Sequence, residues 1–120
     1  MLVKNMVLVG IGGMVGSVLR YLTGHFIRHD SFPYATFAVN MVGSLLIGLI
    51  MGIAAKQEGF TNWRLFLATG VCGGFTTYSA FAWENMQFLN QQRYGTFLIY
   101  TGASLILGLA AVALGYWLTK

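Results

Sequence analysis

The chain has 120 residues, of which 57% are hydrophobic and only 8% are charged. Ordinary soluble domains carry roughly 25% charged residues, so this chain has too few polar side chains to build a water-facing surface. Its net charge of +4 comes from cations that lie mostly between the apolar runs rather than in one basic patch. The composition therefore excludes a soluble domain, argues against a nucleic-acid partner and predicts a protein embedded in membrane lipid.

Four apolar stretches divide the chain, and each is long enough to cross a bilayer as a helix of about 20 residues. We predict an all-α membrane protein with transmembrane helices over residues 2–27, 33–55, 64–87 and 94–119. Pro33 suits the first turn of the second helix. The spans leave little sequence for loops, so residues 1–120 are predicted to form a single transmembrane domain.

The third stretch contains a sequence that weakens a helix in the middle of the membrane. Between Gly70 and Phe81, three glycines are followed by aromatic residues, threonines and a serine. We predict a break near residues 73–78. A broken helix exposes carbonyl and N–H groups that lipid cannot satisfy, so such breaks line cavities or bind ions. An unbroken but flexible helix is the alternative.

Two polar side chains lie inside apolar stretches. Arg20 is in the first stretch, where a charge must either reach the headgroups or find partners within the protein. Asn40 lies in an uncharged run over residues 31–55, and its amide needs hydrogen-bond partners in hydrocarbon. An interhelical hydrogen bond and a role in a pore both remain open for Asn40.

Two pairs of residues are spaced to share a helix face. Tyr78 and Phe81 are three positions apart, and their ring edges can contact an anion or pack against other aromatic rings. Tyr100 and Ser104 are four positions apart and can form a polar stripe. No nucleophile lies beside a base and an orienting group in a recognisable motif, so we do not expect an enzyme.

Three other polar features have a structural interpretation. His25 and His29 have metal-ligand spacing on a helix, but no clear third ligand accompanies them. Glu84 follows the predicted break and is expected either to cap a helix or to pair with an arginine. Cys72 is the single cysteine, so it cannot form an intrachain disulfide.

The positive residues give only a weak preference for one orientation in the membrane. One side of a four-helix topology carries Lys4, Lys56, Arg64 and Lys120, whereas the other carries Arg28 and Arg93, with Arg20 at an ambiguous depth. Positive residues set orientation, so a weak bias allows insertion both ways. Our hypothesis is an antiparallel, dual-topology homodimer, because four short helices alone enclose little space for a polar pathway.

Three separated motifs complete the sequence pattern. They are Gly12-Gly13-Met14-Val15-Gly16-Ser17-Val18-Leu19-Arg20-Tyr21, Ala38-Val39-Asn40, and Gly70-Val71-Cys72-Gly73-Gly74-Phe75-Thr76-Thr77-Tyr78-Ser79-Ala80-Phe81. Together they resemble the Fluc family of fluoride channels, also called CrcB, over essentially the whole chain. The resemblance implies a fluoride-selective passive channel in the bacterial plasma membrane, built as an antiparallel homodimer with two pores.

The resemblance also implies which residues line the pore. The pore asparagine of the family matches Asn40, and its two pore phenylalanines match Tyr78 and Phe81. Tyrosine at the first of these positions is a departure that adds a hydroxyl group. The polar track of the fourth helix matches Tyr100 and Ser104.

Further polar candidates for the pore are Thr36, Thr77 and Ser79. Arg20 matches the family arginine near a wide aqueous vestibule, where a positive charge concentrates anions. The family holds a structural sodium ion at the dimer centre, and its backbone-carbonyl ligands match Gly73 and Thr76 of both subunits. Fluoride, sodium, membrane lipid and a second copy of the chain are therefore the expected partners.

Two other functions compete with the channel. A small dual-topology multidrug transporter has a similar length and four helices, but it would need an acidic residue deep in its first helix. A purely structural subunit of a larger membrane complex would not need a broken helix or an intramembrane asparagine. Fluoride conduction by the purified protein alone would exclude the structural subunit.

Overall fold

The computed structural model describes residues 1–27 and 31–120. The helices are α1 (Leu2–Phe26), α2 (Tyr34–Lys56), α3 (residues 61–75), α4 (Tyr78–Asn90) and α5 (Tyr94–Thr119). Pro33 is the residue that precedes the first turn of α2. Arg28, His29 and Asp30 lie outside the described residues, so the structure does not test the metal-ligand spacing of His25 and His29.

Within the described residues, four helical stretches are long and apolar enough to cross a membrane. Leu2–Phe26, Tyr34–Lys56, Thr61–Asn90 and Tyr94–Thr119 have mean hydropathies of 1.7, 2.1, 1.3 and 2.1. The bundle is 49 Å along its longest axis, close to the roughly 40–45 Å of a bilayer with its headgroups. Many large apolar side chains point outward, as lipid contact requires. The prediction of an all-α, multi-pass membrane protein with four transmembrane helices is confirmed.

The third transmembrane stretch is interrupted at Thr76 and Thr77, within the break that the sequence predicts. Both residues have extended backbone, with φ/ψ of −83°/158° and −150°/115°. The side chain of Thr77 accepts a hydrogen bond from the N–H of Ala80 and so starts α4 as an N-cap. Gly73 and Gly74 remain helical, so the chain departs from the helix at the threonines rather than at the glycines.

The part of α3 before the break contains a feature that the sequence does not predict. Its first turn, Thr61–Arg64, is α-helical, but Leu65–Cys72 form a π-helix. π-helical segments are rare and occur frequently at functional sites. Here the wider helix leads directly into the last turn before the break.

Glycines allow the helix backbones to approach closely. A Cβ placed on Gly12 of α1 would lie 2.9 Å from the Cα of Gly70 in α3, closer than real Cβ atoms come. A Cβ on Gly48 of α2 would lie 3.0 Å from the backbone nitrogen of Tyr116 in α5. Small residues permit this backbone contact in lipid, where packing rather than water exclusion holds helices together. These glycines therefore bring α1 close to α3 and α2 close to α5.

Candidate functional site

The side-chain amide of Asn40 lies against the main chain of Thr77 at the helix break. Its Nδ2 donates to the Thr77 carbonyl at 3.2 Å, and its Oδ1 accepts from the Thr77 N–H at 2.8 Å. We call this pair of hydrogen bonds the Asn40 clasp. The interhelical hydrogen bond considered for Asn40 is therefore present. An amide NH₂ group carries two hydrogens, so the clasp leaves one of them for a further acceptor.

The Asn40 clasp also changes the hydrogen bonding of Gly73. In a continuous α-helix the Gly73 carbonyl would accept from the N–H of residue 77. That N–H donates to Asn40 instead, so the Gly73 carbonyl leaves the helical pattern. Main-chain carbonyls released in this way are suitable ligands for a metal cation.

A cavity of about 400 Å³ opens beside the break, and we call it the inner cavity. Its lining includes the predicted site residues Asn40, Gly73, Thr76, Thr77, Tyr78, Phe81 and Ser104. The rings of Tyr78 and Phe81 have centroids 6.1 Å apart. The side chain of Tyr78 is 79% exposed, so the inner cavity is open on one side of the single chain.

A second cavity of about 360 Å³ lies on the other side of the break, and we call it the outer cavity. Arg20, Thr36 and Glu84 contribute to its lining. Thr77 lines both cavities, so the two spaces lie next to each other at the break. Most of the predicted pore residues therefore line one or both of two neighbouring cavities, rather than a single cavity.

Arg20 has a partner inside the protein. Its Nε donates to the carbonyl of Gly74 at 3.1 Å. Gly74 lies in the last turn of α3, where helical carbonyls lack partners and carry the negative end of the helix dipole. The guanidinium group therefore stabilises the end of α3, and it also presents positive charge to the outer cavity.

Thr36 and Tyr100 both donate their hydroxyl hydrogens to the carboxyl group of Glu84. The Thr36 Oγ1 is 2.6 Å from Oε2, and the Tyr100 hydroxyl oxygen is 2.7 Å from Oε1. A hydroxyl group has one hydrogen, so neither residue donates to an ion while it is bonded to Glu84. The sequence resemblance predicts Thr36 and Tyr100 as pore residues, but it does not identify Glu84 as their acceptor. The sequence signal for this contact is an acidic residue within an apolar span, because a carboxyl group in the membrane needs hydrogen-bond donors.

The remaining predicted residues occupy different positions. Ser79 is exposed, and its Oγ is 3.2 Å from the Oγ1 of Thr77. Tyr100 is fully buried, and its ring packs on that of Phe81 with centroids 5.0 Å apart. The Ser104 Oγ is buried, and among the described residues it has no hydrogen-bond partner. Ser104 is therefore a polar group of the inner cavity with unused hydrogen-bonding capacity.

Comparison with known proteins gives matches along almost the entire chain. Residues 7–116 match a family model described as CrcB-like protein, Camphor Resistance (CrcB). The chain is 42% identical over 123 residues to the "Fluoride-specific ion channel FluC" of Azobacteroides pseudotrichonymphae, covering 99% of this chain and 98% of that protein. It is 43% identical over 121 residues to the protein of the same name from Flavobacterium psychrophilum, covering 98% of each. The chain belongs to the CrcB family.

Proposed function

We propose that this chain forms a fluoride-selective passive channel that lets cytoplasmic fluoride leave the cell. The observation that carries the proposal is the amide of Asn40, oriented by Thr77 beside the rings of Tyr78 and Phe81 in one intramembrane cavity. The relatives named as fluoride-specific ion channels support the same function.

The chemistry of fluoride fits these residues. Fluoride is a small, strongly hydrated anion and an avid hydrogen-bond acceptor, so removing its water requires donors along a narrow passage. The second amide hydrogen of Asn40 is such a donor. The ring edges of Tyr78 and Phe81 carry partial positive charge and can face an anion. Chloride is larger and accepts hydrogen bonds less strongly, so the same passage excludes it by width and by mismatched donors.

The two cavities suggest the route. Arg20 concentrates anions in the outer cavity, and Thr77 lines both this cavity and the inner cavity. The ion then passes Asn40 and reaches the two aromatic rings. Thr36 and Tyr100 contribute donors only when their hydroxyl groups turn away from Glu84, so we assign the main contacts to Asn40, Tyr78 and Phe81.

A second copy of the chain completes the site in this proposal. The inner cavity opens on one side, where Thr69, Gly73 and Tyr78 are exposed. In a single copy these polar groups would face hydrocarbon, which is unfavourable. Because the charge bias is weak, we propose an antiparallel homodimer with two pores. Reporter fusions at the C-terminus that reveal only one orientation would refute the antiparallel arrangement and leave the channel function open.

A structural sodium ion belongs to the same proposal. Gly73 and Thr76 both line the open inner cavity, and the Asn40 clasp releases the Gly73 carbonyl from the helix. Carbonyl oxygens from both copies would hold the cation and so link the two broken helices. The ion is proposed as a structural element and takes no part in conduction.

Fluoride efflux from liposomes that contain the purified protein tests the proposed function. A fluoride-selective electrode should record rapid efflux, while a chloride electrode records none above protein-free liposomes. Absence of fluoride efflux from reconstituted, folded protein would refute the channel. The multidrug transporter is less well supported, because the sequence of α1, Leu2–Phe26, contains no acidic residue.

A further inference from the structure

Gly43 of α2 lies directly against the broken segment. A Cβ placed on Gly43 would overlap the Cγ2 methyl of Thr76 and would lie 3.6 Å from Cδ2 of Phe75. Asn40 precedes Gly43 by three positions, so the two residues occupy the same face of α2. Both residues of the break therefore contact α2. Thr76 packs closely against Gly43, and Thr77 is bound by the Asn40 clasp.

The methyl group of Thr76 cannot rotate away from Gly43 without losing a hydrogen bond. The N–H and the Oγ1 of Thr76 both donate to the carbonyl of Cys72, at 3.0 Å and 2.9 Å. The hydroxyl is thus fixed towards α3 and the methyl towards α2. A β-branched side chain also has few alternative χ1 rotamers. A side chain added at Gly43 must therefore either break the hydrogen bond from the Thr76 hydroxyl to Cys72 or shift Thr76 away from α2.

We propose that Gly43 is a positioning residue that sets the distance between α2 and the break, so that the amide of Asn40 is aimed correctly. Gly43 has no side chain to offer an ion, and it acts through Thr76 and Thr77. A displaced Thr76 carries Thr77 with it, and the clasp distances of 2.8 Å and 3.2 Å leave little room for such a shift. This inference rests on the proposed function, since fluoride flux is its main readout.

A double-mutant cycle tests the inference. Gly43→Ala should reduce fluoride efflux from liposomes by about tenfold or more, because overpacking forces the backbone to move. Thr76→Ser removes the methyl that the new Cβ would overlap and keeps the hydroxyl that donates to Cys72. In the Thr76→Ser background, Gly43→Ala should therefore reduce efflux by less than about twofold, since residues in direct contact are coupled.

Two matched glycine substitutions serve as controls. Gly102→Ala should leave efflux unchanged in both backgrounds, because a Cβ there meets nothing within 4 Å. Gly48→Ala overpacks α2 against α5, away from the break, so any loss that it causes should be equal in the two backgrounds. Only Gly43 should therefore respond to the size of the side chain at Thr76.

The outcomes separate the inference from the proposed function. An equal loss for Gly43→Ala in both backgrounds, or full efflux for Gly43→Ala alone, would overturn the positioning role while the unsubstituted protein still conducts. If Gly43→Ala does not fold, recovery of folded, conducting protein in the double variant supports the role, and failure of both variants overturns it. If the unsubstituted protein shows no efflux, the proposed function fails. The unfolding temperatures of the four proteins are then compared instead. If Gly43→Ala lowers the unfolding temperature equally in both backgrounds, the proposed contact between Gly43 and Thr76 is refuted.

Discussion

Replacing Asn40 with aspartate removes the NH₂ donor of the clasp but leaves the size and shape of the side chain almost unchanged. The aspartate still accepts from the N–H of Thr77, as Oδ1 of Asn40 does at 2.8 Å. Its second oxygen replaces Nδ2, which lies 3.2 Å from the Thr77 carbonyl. Two acceptors then face each other, and both donor hydrogens of the amide are lost.

The expected effect of Asn40→Asp can be estimated from these contacts. Loss of the hydrogen bond leaves the Thr77 carbonyl without its donor, which costs about 1–3 kcal/mol of stability. An ionised carboxylate about 4 Å from a passing fluoride repels it by about 4 kcal/mol at an effective dielectric constant of about 20. This repulsion lowers the occupancy of the site by about a thousandfold. The substituted protein should therefore fold but lose nearly all fluoride flux.

Liposome efflux read by a fluoride electrode measures the effect, and Asn90→Asp is the matched control. Asn90 is the exposed last residue of α4, so the same change of charge there should leave both flux and folding close to normal. Near-normal flux in folded Asn40→Asp protein would refute the reasoning, because it would mean that fluoride passes without a donor at this position.

Three other substitutions have defined outcomes. Phe81→Ile should abolish most fluoride flux while the protein elutes in gel filtration at the same volume as the unsubstituted protein. Normal flux would remove this ring from the pathway. Arg20→Met should lower the free energy of unfolding by about 1–3 kcal/mol, because a charged donor to the Gly74 carbonyl is lost, and an unchanged denaturation curve would contradict this. Gly12→Ala should lower the free energy of unfolding by about 1–3 kcal/mol through overpacking against α3. Gly102→Ala should not, and equal melting temperatures for the two variants would contradict the packing.

The sequence predicts the local features of this fold well. Long apolar stretches predict the four transmembrane helices, because lipid demands about 20 apolar residues for each. The glycines and threonines between Gly70 and Phe81 predict a break, and the structure has one at Thr76 and Thr77. These predictions succeed because they depend on residues that are close together in the chain.

Features that depend on how distant helices face each other were not predictable. Thr36 and Glu84 are 48 positions apart, and their hydrogen bond requires a particular rotation of both α2 and α4. The Asn40 clasp likewise joins residues 37 positions apart. From the sequence, an interhelical hydrogen bond and a pore role are both open for Asn40. The geometry is compatible with both, because the clasp uses only one of the two amide hydrogens.

The π-helix over Leu65–Cys72 could not be predicted from the sequence either. Its residues include no proline, and apolar composition alone does not separate an α-helix from a π-helix. Its close packing on α1 at Gly12 and Gly70 is a tertiary contact that single-sequence reasoning does not supply. Long-range packing therefore decides how α3 approaches the break.

The most direct test of the central claim is the reversal potential of current through the purified protein in a planar bilayer. With a tenfold fluoride gradient, the account predicts reversal at the fluoride equilibrium potential, about 59 mV in magnitude for a singly charged ion. Added chloride or proton gradients should not move it. A reversal potential that follows chloride would contradict fluoride selectivity, and one that follows the proton gradient would contradict a passive channel.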